Sequence, residues 1–303
     1  MQISVFYDHI TQAVQQTGKH PADLLNICKG YGIDGLEINY TQLKKGGFLL
    51  RHRIRRAGLA VSCIYEFHDF THNTDLTLAK KQVELAVKVG AEKVLIVPGF
   101  LEEQEAEELN ACSQDAAATA RYMESHISIC RVRDALRELV QYGQKRGVKI
   151  TLEDFDGFTS PCARMNALKW LLEQVPGLGY TLDMGNFAYS DEDVKTAYEL
   201  LKPYIVHVHC KDRGVEEQYQ PAEPGEDGAS VSAKESSAVS RRYSYCRGLG
   251  CVPVGSGYLP IRELVVQLRE QGYKGYLAIE HFDAPDQLTY MRQSANFLRE
   301  INK

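Results

Sequence analysis

"YIVHVHCKDR", residues 204–213, sets two histidines two positions apart in an aliphatic run and then breaks into charge. In an extended strand alternate side chains share a face. His207 and His209 therefore point the same way, and a buried strand that carries two imidazoles on one face needs polar groups to meet them. Those groups have to come from elsewhere in the chain.

Working outward, the stretch is one of eight similar runs. The others are "ISVFY" from Ile3, "GLEIN" from Gly35, "AVSCIYEF" from Ala60, "KVLIVPG" from Lys93, "VKITLED" from Val148, "GYTLDMG" from Gly179 and "GYLAIEH" from Gly275. Amphipathic segments lie between them. Leu76, Ala79, Val83, Ala86 and Val87 share a helical face that stops at Gly90, and Ile129, Val132, Leu136, Leu139 and Val140 share another ahead of Gly147. Pro260 opens a third, with Ile261, Leu264, Val265 and Leu268 in one stripe. Strand and helix alternating eight times over 303 residues predict a (β/α)8 TIM barrel, α/β in class. No stretch reads as a domain linker, so residues 1–303 are expected to form one barrel domain.

Two stretches break the rhythm. Residues 100–112, "FLEEQEAEELNAC", are acidic, and residues 213–257 are rich in Gly, Ser, Pro and charge. Both follow strands, which in a barrel puts them on the C-terminal face, where active sites are built. The second is expected to be an insertion in the loop after strand seven. A lid over the mouth, or an arm onto a partner subunit that would make the protein a homo-oligomer, is the sharper reading of its second half; a surface excursion is the plainer one.

Composition removes several classes. A net charge of −5 and a pI near 6.0 argue against a nucleic-acid partner. No apolar run approaches the ~20 residues of a membrane span, so no membrane association is expected. "MQISVFYDHI" shows no basic stretch followed by a long apolar core, and the eight cysteines are scattered, which together predict a cytoplasmic protein with reduced thiols. The one close pair, Cys246 and Cys251, has no second pair to complete a zinc site.

The chemistry lies at the ends of strands five to eight, which finish on Glu153, Asp183, His209 and Glu280. The residue before each is aliphatic: Leu152, Leu182, Val208 and Ile279. Barrel side chains alternate between helix layer and interior. If the aliphatic residues face the helices, three carboxylates and one imidazole converge at the mouth. Unpaired, the carboxylates would repel and take up protons. One divalent cation removes the conflict, and oxygen-rich ligation with a single histidine suits manganese first, with magnesium, cobalt or zinc as alternatives. His207 lies one layer below His209, placed to orient a ligand or a substrate group.

"TLDMGNF", "HVHCKDR", "VPVGSG" and "GYLAIEH" resemble the sugar phosphate isomerase/epimerase family. This belongs to the xylose isomerase-like TIM barrel superfamily, with ketose 3-epimerases, inosose dehydratases and endonuclease IV. The resemblance covers most of the chain and is strongest from residue 148 onward. It implies that Glu153, Asp183, His209 and Glu280 hold one divalent metal. It also implies a substrate- or metal-binding role for His68 in "YEFHDF", a pocket-facing Glu37 in "GLEIN", and contacts from Lys211 and Arg213 to hydroxyls or a phosphate. Asn186 stands where ketose 3-epimerases place a substrate-contacting histidine, so substrate orientation differs from theirs. Endonuclease IV needs three zincs and extra histidines after strands four and seven; strand four here ends "VPGF".

The expected activity is isomerisation or epimerisation of a sugar or sugar phosphate through an enediolate, with Glu153 and Glu280 as acid and base. The same intermediate can expel a β-hydroxyl, so a lyase or dehydratase on a keto-inositol or keto-sugar is the alternative. A sugar binder without turnover is the third.

Overall fold

In the computed structural model, which describes residues 1–214 and 250–303, eight parallel strands close into a barrel. They are β1 (Gln2–Phe6), β2 (Gly35–Asn39), β3 (Ala60–Phe67), β4 (Lys93–Val97), β5 (Lys149–Glu153), β6 (Gly179–Asp183), β7 (Ile205–Cys210) and β10 (Tyr276–Ile279). The order around the barrel is β1-β10-β7-β6-β5-β4-β3-β2, so neighbours in sequence are neighbours in space. The eighth barrel strand is tenth in the chain because a short antiparallel pair intervenes, β8 (Asp212–Gly214) with β9 (Gly250–Val252). The predicted TIM barrel is thus the observed fold.

Eleven α-helices among the described residues form the outer layer: α1 (Tyr7–Thr17), α2 (Pro21–Gly30), α3 (Tyr40–Arg56), α4 (Thr77–Val89), α5 (Glu103–Cys112), α6 (Ala116–Ser125), α7 (Ile127–Gln144), α8 (Met165–Gln174), α9 (Val194–Leu201), α10 (Ile261–Glu270) and α11 (Gln287–Ile301). The stripes read from sequence face the sheet: Ala79, Val83 and Ala86 on α4, and Ile261, Leu264, Val265 and Leu268 on α10, are buried. Val87 is not; it lies at the edge of its stripe in the last turn of α4 and is exposed. Gly90 ends α4 with φ 77°, a left-handed cap that only glycine adopts without cost. The acidic stretch after β4 forms α5, closed at its start by a reciprocal capping box between Glu102 and Glu105. The main apolar core fills the space between strands and helices, while Phe6, Cys63, Tyr65, Leu95 and Ala278 form a smaller cluster inside the barrel.

The ends of the expected 213–257 insertion are held beside the mouth. Arg213 pairs with Cys251 across the β8–β9 ribbon, and Asp212 Oδ2 accepts from the backbone N–H of Gly255 and of Gly257, each at 2.9 Å. A Cβ on Gly257 would meet Asp212 Oδ1 and the Arg213 carbonyl at 2.2 Å, so glycine is required there. Residues 215–249, which hold most of the expected insertion and most of its second half read as a lid or arm, lie outside the described residues. Among the described residues no helix is long and apolar enough to cross a membrane.

Candidate metal centre

Alternation along the strands sorts the site. Leu152, Leu182, Val208 and Ile279 all pack into the strand–helix core. Their neighbours Glu153, Asp183, His209 and Glu280 turn inward, and one donor atom from each lies within 4.8 Å of all the others. His209 stands at the centre. Its Nδ1 is 2.9 Å from Glu153 Oε2, 3.3 Å from Glu280 Oε2 and 3.8 Å from Asp183 Oδ2. None of these contacts is aligned as a hydrogen bond, and both His209 Nδ1 and Asp183 Oδ2 are buried without a hydrogen-bond partner. Buried polar atoms are rarely left so. Two such orphans facing the same point as two glutamates fit a single cation with mixed oxygen and nitrogen ligation.

The electrostatics agree. Burial pushes the Asp183 carboxyl well above the usual range, with Glu280 and Glu153 adding repulsion that Lys211 and His209 only partly offset. Burial also raises Glu153. Burial would raise Glu280 as well, but Lys211 and His209 hold it well below the usual range. Without a cation the cluster carries more negative charge than its surroundings neutralise. Asp183 is fixed for its task, since its Oδ1 accepts from the backbone N–H of Gly185 at 2.7 Å and of Asn186 at 2.9 Å.

The second histidine of the opening stretch is explained one layer down. Glu37 Oε2 accepts from His207 Nε2 at 2.9 Å and from His209 Nε2 at 3.1 Å, and all three side chains are fully buried. Burial would raise Glu37, yet the two imidazoles bring it down to about 2. An ionised carboxylate accepts only, so Nε2 of His207 and of His209 each carries a proton. Burial would lower the His209 pKa, but Glu37, Glu153 and Glu280 hold it well above the usual range, so a cation at the mouth would displace a proton from Nδ1. Cys63 lies against Glu37 and His207 in a second enclosed group of ligand-type side chains. There the carboxylate already serves both imidazoles. Glu37→Gln is expected to lower divalent-metal affinity about 10–100-fold with the fold intact, the usual cost of losing such an outer carboxylate. Titration of the chelated protein against its wild-type counterpart measures this; equal affinities would remove Glu37 from that role.

The remaining expected residues divide. Lys211 Nζ is 2.7 Å from Glu280 Oε1, 2.7 Å from Asn186 Oδ1 and 3.3 Å from Asp156 Oδ2, so Lys211 and Asn186 are both joined to the cluster. Asn186 also donates to the Asp154 carbonyl at 2.7 Å, which fixes its amide. Arg213 is buried, with its guanidinium over the Tyr189 ring at 4.6 Å, and no described carboxylate lies within ion-pair distance of it. Glu37 lies below the mouth, in contact with the histidines. His68 falls on the helix-facing side of β3: its Nε2 bonds Gln82 of α4 at 3.0 Å and its ring stacks on Phe70. Contact between His68 and a molecule in the mouth is therefore not what the structure places there.

Three features were not anticipated. Asp154 is buried behind the cluster, where its Oδ1 accepts from Tyr180 at 2.6 Å and from the Asp183 N–H at 3.0 Å. Asp8 accepts from Tyr65 and Gln42, both at 2.6 Å, across the strand-one side of the mouth. A chain of ring contacts, Phe282–Phe6–Tyr65–Phe67–Phe155–Phe100, runs along that side with centroids 5.4 to 6.5 Å apart. Phe6 touches the His209 ring edge-on at 5.0 Å, which ties this wall to the cluster. Parity alone would have found Phe6, Tyr65 and Phe67, which share the inward side of their strands.

Comparison with known structures gives the same architecture. The probable 3-DHS dehydratase AsbF of petrobactin synthesis from Bacillus anthracis is 16% identical, with 99% of each chain covered and a TM-score of 0.66. The 3-keto-D-glucoside 4-epimerase YcjR from E. coli is 18% identical, again with 99% of each chain covered, at 0.63. A xylose isomerase-like TIM barrel protein from Mycobacterium smegmatis, in complex with magnesium, is 14% identical over 99% of this chain and 96% of its own, at 0.63. At these identities the likeness is one of fold. No curated protein sequence matches the chain. The model of the xylose isomerase-like TIM barrel family matches residues 25–301, and the chain belongs to that family.

Proposed function

We propose that the protein is a divalent-metal-dependent isomerase or epimerase that moves a proton next to the carbonyl of a sugar or sugar phosphate. One observation carries the reading: Glu153, Asp183, His209 and Glu280 converge on a single point at the barrel mouth with two orphaned donor atoms facing it. Manganese fits this donor set best, and magnesium, cobalt and zinc also fit. The bound ion would polarise the substrate carbonyl and lower the pKa of the adjacent C–H.

The protein's own groups then do the rest. Glu153 on β5 and Glu280 after β10 come from strands separated by β6 and β7, so they flank a substrate from two sides. One carboxylate removes the proton to give an enediolate. The other, protonated beforehand, donates its own proton to the opposite face or to the neighbouring carbon, both groups then re-equilibrating with solvent. Lys211, held by Asn186, keeps Glu280 in place. The aromatic wall gives the C–H edges of the substrate an apolar surface and shields one side from water.

The second reading is a lyase or dehydratase, in which the same enediolate expels a β-hydroxyl. It is supported by the family, whose fold AsbF shares. Incubating the manganese-loaded protein in deuterium oxide with ketoses, keto-inositols and keto-glycosides distinguishes the two. Deuterium incorporation together with an isomeric product supports the isomerase; incorporation with loss of water or aglycone supports the lyase. Absence of exchange with every compound would leave only a binder.

A further inference from the structure

The most basic stretch of the chain lies far from the mouth. Residues 44–56, "KKGGFLLRHRIRR", hold six lysines and arginines and no acidic residue, in a chain whose net charge is −5. They form most of α3, which is broken at Gly47 with φ 57° and ψ −143°. Just after the break stand Phe48, 74% exposed, and Leu49, 55% exposed. Large apolar residues exposed side by side mark interaction surfaces when they form a patch.

The pattern around them is regular. At 100° per residue, Phe48, Leu49, Arg51, His52, Arg55 and Arg56 occupy one arc of about 160°, and Leu50 and Ile54 lie on the other side. The burial follows that split, with Leu50 and Ile54 buried against the barrel. The Phe48 ring stacks on His52 at 5.9 Å. None of Lys44, Lys45, Arg51, Arg53, Arg55 and Arg56 forms an ion pair among the described residues, so this charge is not neutralised within the chain. A cleft beside the patch is lined by Phe48, Arg51, Arg55, Leu59, Val61 and Lys88. Leu59 and Val61 lie where β3 begins, so the patch is at the N-terminal end of the barrel, opposite the candidate metal centre.

We propose that this face docks the protein onto an anionic phospholipid surface, with Phe48 and Leu49 entering the headgroup–acyl boundary and the cations meeting the headgroups. An exposed helical face with apolar residues between arginines and lysines is the pattern of interfacial binding. A flat surface dense in negative charge over an apolar layer satisfies both halves of the patch at once. A second copy of this chain docked through the same face satisfies only one, since the same cations would oppose each other. Docking at this end leaves the mouth open, and the absence of a spanning segment, on which the expectation of no membrane association rested, does not bear on a protein held at the surface.

Co-sedimentation of the full chain with vesicles tests the proposal. Vesicles of phosphatidylcholine with one-third phosphatidylserine are expected to bind it, pure phosphatidylcholine vesicles are not, and added salt is expected to weaken the binding. Phe48→Ser with Leu49→Ser, and separately Arg51→Gln with Arg55→Gln and Arg56→Gln, should each lower the partition constant roughly tenfold or more while the unfolding temperature stays unchanged. Phe48, Leu49, Arg55 and Arg56 are exposed and Arg51 is half-buried, so the variants should fold, and Phe48→Ala alone serves as a milder check. Failure to bind the mixed vesicles at low salt overturns the proposal. So does binding undiminished by the serine pair, which would be charge attraction alone. Vesicle-free self-association lost in the serine pair would give the face to a second copy, and equally tight binding to polyglutamate would give it to an acidic partner; both outcomes also overturn it.

Discussion

His209→Ala is expected to abolish the response of the protein to divalent metal. The imidazole supplies the one nitrogen of the four-residue cluster, and its Nδ1 lies between Glu153, Asp183 and Glu280 at 2.9 to 3.8 Å. Alanine removes the ligand and also the group that holds the carboxylates apart. Metal bound to the folded state alone stabilises it by ~2.7 kcal/mol at a hundred times its Kd. For a chain of 303 residues that is about 4 °C in Tm. The wild-type protein should therefore melt several degrees higher in manganese than in chelator, and His209→Ala should show no difference, with metal content near zero by elemental analysis. The chelator comparison separates loss of metal from loss of fold, since each protein serves as its own reference. Full metal occupancy and undiminished turnover in His209→Ala would remove the site assignment.

How much of this could be read from sequence depends on which physical rule governed each residue. The four strand ends were legible because each polar residue follows an aliphatic one, and alternation leaves the pair only one sensible orientation. The same rule, applied to "YEFH", puts His68 on the side opposite Phe67. Family likeness pointed the other way, and parity prevailed: His68 lies against Gln82 in the helix layer. Glu37 was legible as inward-facing but not in depth. Whether it stands level with His209 or a layer below is set by the stagger of strands around the closed barrel, which no local pattern encodes. The link from Lys211 to Glu280 and the stacking of Arg213 on Tyr189 join residues distant in the chain, and they appear only when the barrel closes. The exposure of Phe48 and Leu49 was hidden for a different reason. Nothing in the run Phe48-Leu49-Leu50 marks which of the three is buried, and the break at Gly47 turns two of them outward.

The last prediction separates holding the metal from moving the proton. Gln in place of Glu280 or Glu153 keeps an oxygen that can ligate but cannot accept a proton at neutral pH. Each variant should retain part of its metal, seen as a surviving though smaller Tm difference between manganese and chelator. Turnover should fall by about 10²–10⁴-fold in each, the range for loss of a general acid or base. Solvent exchange makes the argument sharper than kcat does. If Glu153 serves one face of the enediolate and Glu280 the other, each variant still exchanges deuterium with one epimer and not with the other, and the two variants are mirror images in this respect. Loss of exchange with both epimers in both variants would mean that the carboxylates act only by holding the metal. Near-normal turnover in both would exclude the pair as acid and base. The Lys211–Glu280 contact at 2.7 Å adds an internal check, because Glu280→Gln removes the charge that Lys211 neutralises while Glu153→Gln does not. Only the Glu280 variant should then shift the pH profile of whatever exchange remains.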